Sequence, residues 1–267
     1  MNGSRIIIVG ASSDIGAQLA HHYVERGAAV VGTYRSPSLQ VADLEKGGVK
    51  MVPLDIASGK DVAAFAETLK KDGFTWDVFI SAPGTLEPIG KFFDLDFDAW
   101  ENSVQTNSTS QLRVLHALYQ ARNPSKPSKT IFFAGGGTNS PFDNYSAYCV
   151  GKLLLIKMME LLDSEYPEID ASIIGTGWVN TKIHKQTLAA GAAAGENLEK
   201  TRAFLDIGDS AGSPIEMVAE CIDWCLAAPR AAVGGRNFSM AHDPWKEQRL
   251  IGELSADKER YKLRRRS

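Results

Sequence analysis

Short runs of β-branched and apolar residues alternate along this chain with longer segments of helical periodicity, and this alternation restricts the possible folds most. The short runs predict strands at residues 5–9, 29–33, 49–53, 78–81, 130–134 and 171–175. The longer segments predict helices at residues 14–26, 61–71, 100–121 and 145–165. Strands that alternate with helices form a parallel sheet covered on both faces. We therefore predict an α/β fold in which residues 1–267 form one doubly wound domain with about seven parallel strands.

Residues 180–212 depart from this alternation. They follow the sixth predicted strand, are rich in Ala and Gly, and show no strand pattern. Long segments of this kind are often functional, and ligands of parallel sheets bind at the carboxyl edge where this segment begins. We therefore predict that residues 180–212 form a lid over a substrate site.

The composition argues against several other classes of protein. A net charge of −3 gives no indication of a nucleic-acid partner. Three cysteines without framework or metal-ligand spacing favour a reducing compartment and no metal site. The chain has neither a signal-peptide pattern nor an apolar run near the ~20 residues that span a bilayer, so we predict a cytoplasmic protein without a membrane partner. The basic stretch at 258–266 is interpreted as a solvated terminus, with a subunit contact as the alternative.

A turn containing glycine follows the first predicted strand and reads Gly10-Ala11-Ser12-Ser13-Asp14-Ile15-Gly16. A dinucleotide pyrophosphate requires a turn without obstructing side chains and the free N–H groups of a helix N-terminus. Gly10 permits the tight turn, and Gly16 permits close packing of helix and strand. Ser12 and Ser13 add hydroxyl donors, and Asp14 is expected to cap the helix through its carboxylate. At this position the pattern predicts a Rossmann-type nucleotide site rather than an ordinary glycine-rich loop.

The end of the second predicted strand indicates which dinucleotide binds. A site that prefers NAD carries an acidic residue here, which accepts from the ribose 2′-OH and repels a 2′-phosphate. This chain carries Arg35 instead. Because a guanidinium forms paired, charge-assisted bonds to phosphate, we predict NADP(H) as the cofactor. The alternative is a solvent-facing arginine at the end of a strand.

A tyrosine and a lysine are spaced one helical turn apart in the segment Tyr148-Cys149-Val150-Gly151-Lys152. This spacing places Tyr148 and Lys152 on one helix face. A tyrosine with an ordinary pKa of ~10 is a poor acid or base at neutral pH, but an adjacent ammonium lowers that pKa. The pair is therefore predicted to transfer a proton to or from a carbonyl or alcohol oxygen.

These motifs together resemble the short-chain dehydrogenase/reductase family over about residues 5–181 and, more faintly, as far as residue 240. Asp14 stands in place of the middle glycine of the family's GxxxGxG turn, and Thr176 in place of the proline of its PGxVxT stretch. Tyr148 and Lys152 match the family's catalytic pair, and Asn107 matches a helix asparagine that supports a proton relay to the lysine. The resemblance implies cofactor contacts at Gly10, Ser12, Ser13, Asp14, Ile15, Gly16, Arg35, Asp55, Ile56, Ser81, Ala82, Gly84, Tyr148, Lys152, Gly177, Val179 and Thr181.

One departure from the family concerns catalysis. The family places a catalytic serine at the end of the fifth strand, about a dozen residues before the tyrosine, whereas this chain has no hydroxyl at residues 134–137. Thr138 is the next candidate, provided that its loop folds back. Losing one oxyanion donor typically costs about 10²–10³ in rate. The sequence thus predicts an NADP(H)-dependent oxidoreductase acting on a small carbonyl or alcohol substrate. The alternatives are an NADP-binding protein with little turnover and, less favoured, a nucleotide-sugar epimerase or dehydratase.

The predicted helix at 145–165 is apolar on nearly all its faces. Its apolar residues are Leu153, Leu154, Leu155, Ile156, Met158, Met159, Leu161 and Leu162. A single sheet contact cannot bury all of these side chains. We therefore predict that a second copy covers the remaining face in a homodimer or homotetramer.

Overall fold

A seven-stranded parallel sheet forms the centre of the computed structural model, which describes residues 1–208 and 211–265. The strands are β1 (Arg5–Val9), β2 (Ala29–Tyr34), β3 (Lys50–Pro53), β4 (Val78–Ser81), β5 (Ser128–Phe133), β6 (Ile169–Gly175) and β7 (Arg236–Ser239). Their order is β3-β2-β1-β4-β5-β6-β7, and each neighbouring pair is parallel. The order reverses between β1 and β4, which creates the crevice where open α/β sheets bind ligands. The predicted doubly wound α/β fold is confirmed.

Helices cover both faces of the sheet. They are α1 (Asp14–Glu25), α2 (Leu39–Lys46), α3 (Gly59–Lys71), α4 (Phe97–Asn107), α5 (Thr109–Leu118), α6 (Ser146–Glu165), α7 (His184–Ala190), α8 (Glu196–Asp206), α9 (Glu216–Ala227), α10 (Arg230–Val233) and α11 (Arg249–Ala256). Strand β1 shows why the sheet needs two layers. Ile6 and Ile8 are buried in the core under α1, α9 and α11, whereas Ile7 and Val9 are buried in the core under α3, α5 and α6. Alternate side chains of a strand point to opposite faces, so a continuous apolar strand requires cover on both.

The predicted helix at 100–121 is wrong in one respect, because the structure contains two helices there. Ser108 separates α4 from α5 with a non-helical backbone (φ −145°, ψ −88°). This break places Asn107 at the end of a helix beside the crevice. Helix α2 and strand β7 have no counterpart among the predicted ranges.

The segment predicted to be a lid follows β6 at the carboxyl edge of the sheet, and its described part is largely helical. Helices α7 and α8 and a short 3₁₀ turn make up much of residues 180–208, while residues 209 and 210 lie outside the described residues. No helix in the described ranges combines the length and apolarity needed to cross a bilayer.

Candidate active site

The turn after β1 has the shape that a pyrophosphate requires. Gly10 has a φ of +73°, and its N–H donates to the Thr33 hydroxyl at 3.0 Å. The Ser13 hydroxyl accepts from the Gly16 N–H at 3.0 Å, so Ser13 is the N-cap of α1. A Cβ at position 16 would collide with the Gly10 carbonyl and lie 2.8 Å from the Ser13 hydroxyl oxygen. Because these glycines keep the turn tight and free of side chains, the turn fits a dinucleotide phosphate.

Asp14 does not cap α1 as predicted. The cap is Ser13, whose backbone is extended (φ −79°, ψ 163°), as an N-cap residue requires, whereas Asp14 is already the first helical residue. The Asp14 carboxylate instead contacts the beginning of the lid, where it accepts from the Lys182 N–H at 2.6 Å. The Lys182 Nζ lies 3.4 Å from the other carboxylate oxygen.

The residues predicted for the adenosine half of the cofactor lie at the carboxyl ends of β2 and β3. Arg35 directly follows β2 and is exposed. Asp55 and Ile56 follow β3 and are half-buried, and Asp55 accepts from the Ala57 N–H at 3.0 Å. Strands β2 and β3 are neighbours, so these residues share the edge of the sheet onto which the glycine turn opens.

Ser81, Ala82 and Gly84, which are all predicted to contact the cofactor, lie at the end of β4 and in the loop after it, in different environments. Ser81 is fully buried, and its hydroxyl donates to Gln111 at 2.8 Å, so it supports the loop from below. Gln111 in turn donates to the Pro83 carbonyl at 3.1 Å. Ala82 and Gly84, in contrast, line the main cavity.

Tyr148 and Lys152 lie side by side in a cavity of about 780 Å³ between the sheet edge and the predicted lid segment. Lys152 is 4% exposed, and burial lowers its pKa to about 8. Its Nζ lies 5.9 Å from the centre of the Tyr148 ring and donates to the Pro83 carbonyl at 3.5 Å. Burial raises the pKa of Tyr148, with a smaller contribution from the neighbouring Cys149. The predicted lowering of the tyrosine pKa by the lysine is therefore not seen, because removal of the phenol from water raises that pKa.

Asn107 holds the loop after β4 against Lys152. Its side chain is fully buried, accepts from the Thr85 N–H at 3.1 Å and donates to the Thr85 carbonyl at 2.8 Å. A Cβ at Gly84 would lie 3.5 Å from the Asn107 carbonyl oxygen and 3.8 Å from the Lys152 Nζ. Asn107 and Lys152 therefore meet at Gly84.

Sequence reasoning missed the polar residues around Asn107, although a signal for them was present. Ser103, Asn107 and Gln111 are all buried and are spaced four residues apart. Polar residues at helical spacing on the buried side of α4 and α5 indicate a built hydrogen-bond network rather than core packing.

The position of the missing serine is filled by the tyrosine. A Cβ at Gly135 would collide with the Tyr148 hydroxyl. Gly137, with a φ of +88°, turns the loop back, and the Thr138 hydroxyl donates to the Gly135 carbonyl at 3.2 Å. Thr138 therefore lines the cavity close to Gly135, on which Tyr148 packs.

Aromatic and polar side chains complete the cavity on the lid side. Trp178 stacks on His184 with ring centres 5.3 Å apart and contacts Phe204 at 4.8 Å. The Tyr145 hydroxyl hydrogen-bonds Thr187 of α7 at 2.9 Å. Gln186, also on α7, accepts from the Leu86 N–H at 2.7 Å and so ties the lid to the β4 loop. The predicted nicotinamide-side residues Gly177, Val179 and Thr181 line the same cavity.

Comparisons with known proteins place the chain among oxidoreductases. The family profile described as enoyl-(acyl carrier protein) reductase matches residues 10–217. An NADPH-dependent pterin aldehyde reductase of Arabidopsis thaliana is 22% identical over 67% of this chain and 76% of its own length. A short-chain dehydrogenase/reductase of Saccharomyces cerevisiae has a similar fold, with a TM-score of 0.78 at 20% identity over 94% of this chain and 99% of that chain. An NAD⁺-bound xylitol dehydrogenase superposes with a TM-score of 0.79 at 19% identity over 91% and 99% of the two chains.

Proposed function

The chain belongs to the short-chain dehydrogenase/reductase family, and on that premise we propose that it is an NADP(H)-dependent oxidoreductase that interconverts a carbonyl and an alcohol on a small molecule. The observation that carries the proposal is the placement of Tyr148 and Lys152 together in the cavity beside the glycine turn. When bound, the nicotinamide supplies or accepts the hydride. The residues that would hold this cofactor are those of the glycine turn, Arg35, Asp55, Lys152 and the stretch from Gly177 to Thr181.

Tyr148 is the proton donor in this proposal. Its raised pKa keeps the phenol protonated at neutral pH, and a protonated phenol can give its proton to the oxygen of a carbonyl as that oxygen gains negative charge. The phenolate that remains is stabilised by the positive charge of Lys152. Thr138 supports the same oxygen in place of the missing serine, and the lid excludes water.

NADP(H) is preferred in this proposal because Arg35 stands where an NAD site carries an acid. The cofactors in the relatives' names do not decide the question, since the pterin aldehyde reductase is called NADPH-dependent and the xylitol dehydrogenase is NAD⁺-bound. Exposure of Arg35 at the end of β2 leaves its guanidinium available to a 2′-phosphate.

The cysteines bear on where the protein acts. Cys149, Cys221 and Cys225 are buried and form no disulfide, which supports a reducing compartment, and we place the protein in the cytoplasm.

The test combines cofactor titration with turnover. Wild-type protein should bind NADPH more tightly than NADH, and Arg35→Ala should reduce this difference. With NADPH, a panel of ketones and aldehydes should reveal slow reduction, and Tyr148→Phe should lower turnover by ~10²–10⁴ while cofactor affinity is kept. Full activity of Tyr148→Phe on a good substrate would overturn the mechanism.

A second candidate function is an NADP-binding protein with little turnover. The filled space at Gly135, which leaves no room for a serine, favours it. Tight NADPH binding without turnover of any carbonyl in the panel would support this reading. If a substrate does turn over, Thr138→Val tests the role of Thr138. A large loss of activity means that the Thr138 hydroxyl has taken the role of the serine, and no loss means that Tyr148 and backbone or water alone hold the substrate oxygen.

A further inference from the structure

Asp14 creates a charge conflict within the proposed cofactor site. It is the first residue of α1, and its carboxylate lines the main cavity beside the glycine turn. The N-terminus of a helix attracts an anion, so the carboxylate and a cofactor phosphate compete for the same favourable position. Two negative charges in one site repel each other unless a cation lies between them.

Lys182 is that cation, and it comes from the lid. The two residues are 168 positions apart in the chain. The Lys182 backbone N–H donates to one Asp14 carboxylate oxygen at 2.6 Å, and its Nζ lies 3.4 Å from the other. The Nζ also donates to the Ser12 carbonyl at 2.9 Å and to the Gln40 side chain at 3.2 Å. Lys182 thus lies across the glycine turn and reaches the beginning of α2.

These contacts are the kind that a stronger anion can displace. The Lys182 side chain is 52% exposed, and that of Asp14 is 27% exposed, so their ion pair is weakened by solvent. Ser12 and Gln40 offer neutral oxygens, which bind an ammonium less strongly than a phosphate does. A phosphate group placed on the turn would therefore attract the Lys182 Nζ away from Ser12 and Gln40.

We propose that Lys182 is a phosphate-binding residue of the dinucleotide site and that Asp14 is its counterion before the cofactor binds. The backbone contact from Lys182 to Asp14 keeps the lysine over the turn, while its Nζ moves to the phosphate. The proposal rests on the proposed function, since it assumes a nicotinamide dinucleotide in this cleft. The proposal explains why the site tolerates an acidic residue at position 14, where the family has glycine.

The experiment measures NADPH and NADH dissociation constants by cofactor fluorescence for wild type, Lys182→Gln and Lys182→Arg. Lys182→Gln should weaken NADPH binding by about tenfold or more, because a charge-assisted bond is lost and Asp14 is left without its counterion. Lys182→Arg should keep most of the affinity. If Lys182→Gln loses affinity for both cofactors, Lys182 binds the pyrophosphate. If it loses affinity for NADPH alone, Lys182 binds the 2′-phosphate. Lys185→Gln is the matched control, since Lys185 is an exposed lysine of the same segment that forms no ion pair with a described residue.

Two further measurements separate phosphate binding from a merely structural contact. The double variant Asp14→Gly/Lys182→Gln should recover part of the affinity lost in Lys182→Gln, because the unpaired carboxylate is gone. The dependence of NADPH affinity on salt concentration should be the same in Lys182→Arg as in wild type, because the arginine keeps the positive charge. It should be weaker in the double variant, in which one phosphate contact is lost. If wild type binds NADPH and Lys182→Gln binds it equally well, this inference is wrong while the proposed function stands. If wild type binds neither cofactor, both are wrong.

Discussion

The hydroxyl of Tyr148 lies in the space that a side chain at position 135 would need. We expect Gly135→Ser to lower carbonyl reduction by at least about tenfold, although it supplies the hydroxyl that the family has at this place. The added Cβ must displace the Tyr148 hydroxyl, and misplacing a catalytic group costs rate steeply. Steady-state kinetics with NADPH and the best substrate of the panel check this. Gly59→Ser, at an open position at the start of α3, is the control, and a gain of activity in Gly135→Ser would contradict the expectation.

The buried Lys152 leads to a pH dependence of cofactor binding. Because burial lowers its pKa to about 8, Lys152 is charged below that pH and neutral above it. NADPH affinity should therefore fall as the pH rises from 7 to 10, with its midpoint near 8 in the free protein. Tyr148 does not contribute to this fall, since burial raises its pKa. Fluorescence titration of NADPH binding between pH 7 and 10 measures this dependence. The affinity of Tyr148→Phe should fall as in wild type, whereas that of Lys152→Gln should not change with pH. A wild-type affinity that does not change over this range would refute the role of Lys152.

Residue-level prediction from the sequence works where the pattern is local. Tyr148 and Lys152 are one helical turn apart, so helical periodicity alone brings them together. The contact between Asp14 and Lys182 joins the first helix to the lid across most of the chain, and no local pattern indicates it. The raised pKa of Tyr148 could not be predicted from the sequence either, because the burial that raises it is a property of the folded cavity.

At the scale of elements, the predicted strands and helices agree with the structure to within two residues at each end, except for the predicted helix at 100–121. β1 and β4 agree with the predicted ranges 5–9 and 78–81, because short apolar strands buried on both faces have sharp boundaries in sequence. The division of 100–121 into α4 and α5 was missed, since Ser108 is a residue that helices tolerate.

An ion pair joins the C-terminal segment to α6. The interpretation of the basic stretch at 258–266 as a solvated terminus did not include this contact. Arg264 donates to Glu160 of α6 at 2.6 Å and also pairs with Glu259. The hydrogen bond from Arg264 is the main cause that lowers the pKa of Glu160 to about 2. The basic terminus therefore contributes to the packing of α6 as far as Arg264, while Arg266 lies outside the described residues.

Arg264→Ala should lower the free energy of unfolding by about 1 kcal/mol at pH 7, because both groups are partly exposed. A carboxyl with a lowered folded-state pKa stabilises the fold above its ordinary pKa of 4.5, and that contribution is lost as the pH falls towards 2. The difference between wild type and variant should shrink over this range. Urea unfolding at several pH values measures it. Lys200→Ala, which removes an exposed pair with Glu196, should change stability less, and equal effects of the two variants would argue against a special role for Arg264.

At the scale of the whole molecule, the outer face of α6 is continuous with an aromatic cluster. Val150 and Leu161 are 43% and 41% exposed, although the inner face of the helix is buried. The cluster beside it consists of Phe92, Phe93, Phe97 and Trp100. Val150 and Phe92 line the same shallow cavity, so the aromatic cluster adjoins the outer face of α6 at Val150. Contiguous apolar surface of this kind on a folded protein marks an interaction site.

We expect this surface to join two copies of the chain around a two-fold axis. Light scattering at micromolar concentration should give the mass of a dimer or tetramer, and Val150→Glu/Leu161→Glu should give a monomer, because two buried carboxylates without partners oppose association. The variant should keep its helical circular dichroism, since both side chains are already partly in water. Leu39→Glu places the same charge on a leucine of α2 that is 91% exposed, and it should leave the mass unchanged. A monomeric wild type would refute the prediction, whereas an oligomer that persists in the double variant would place the interface on another face.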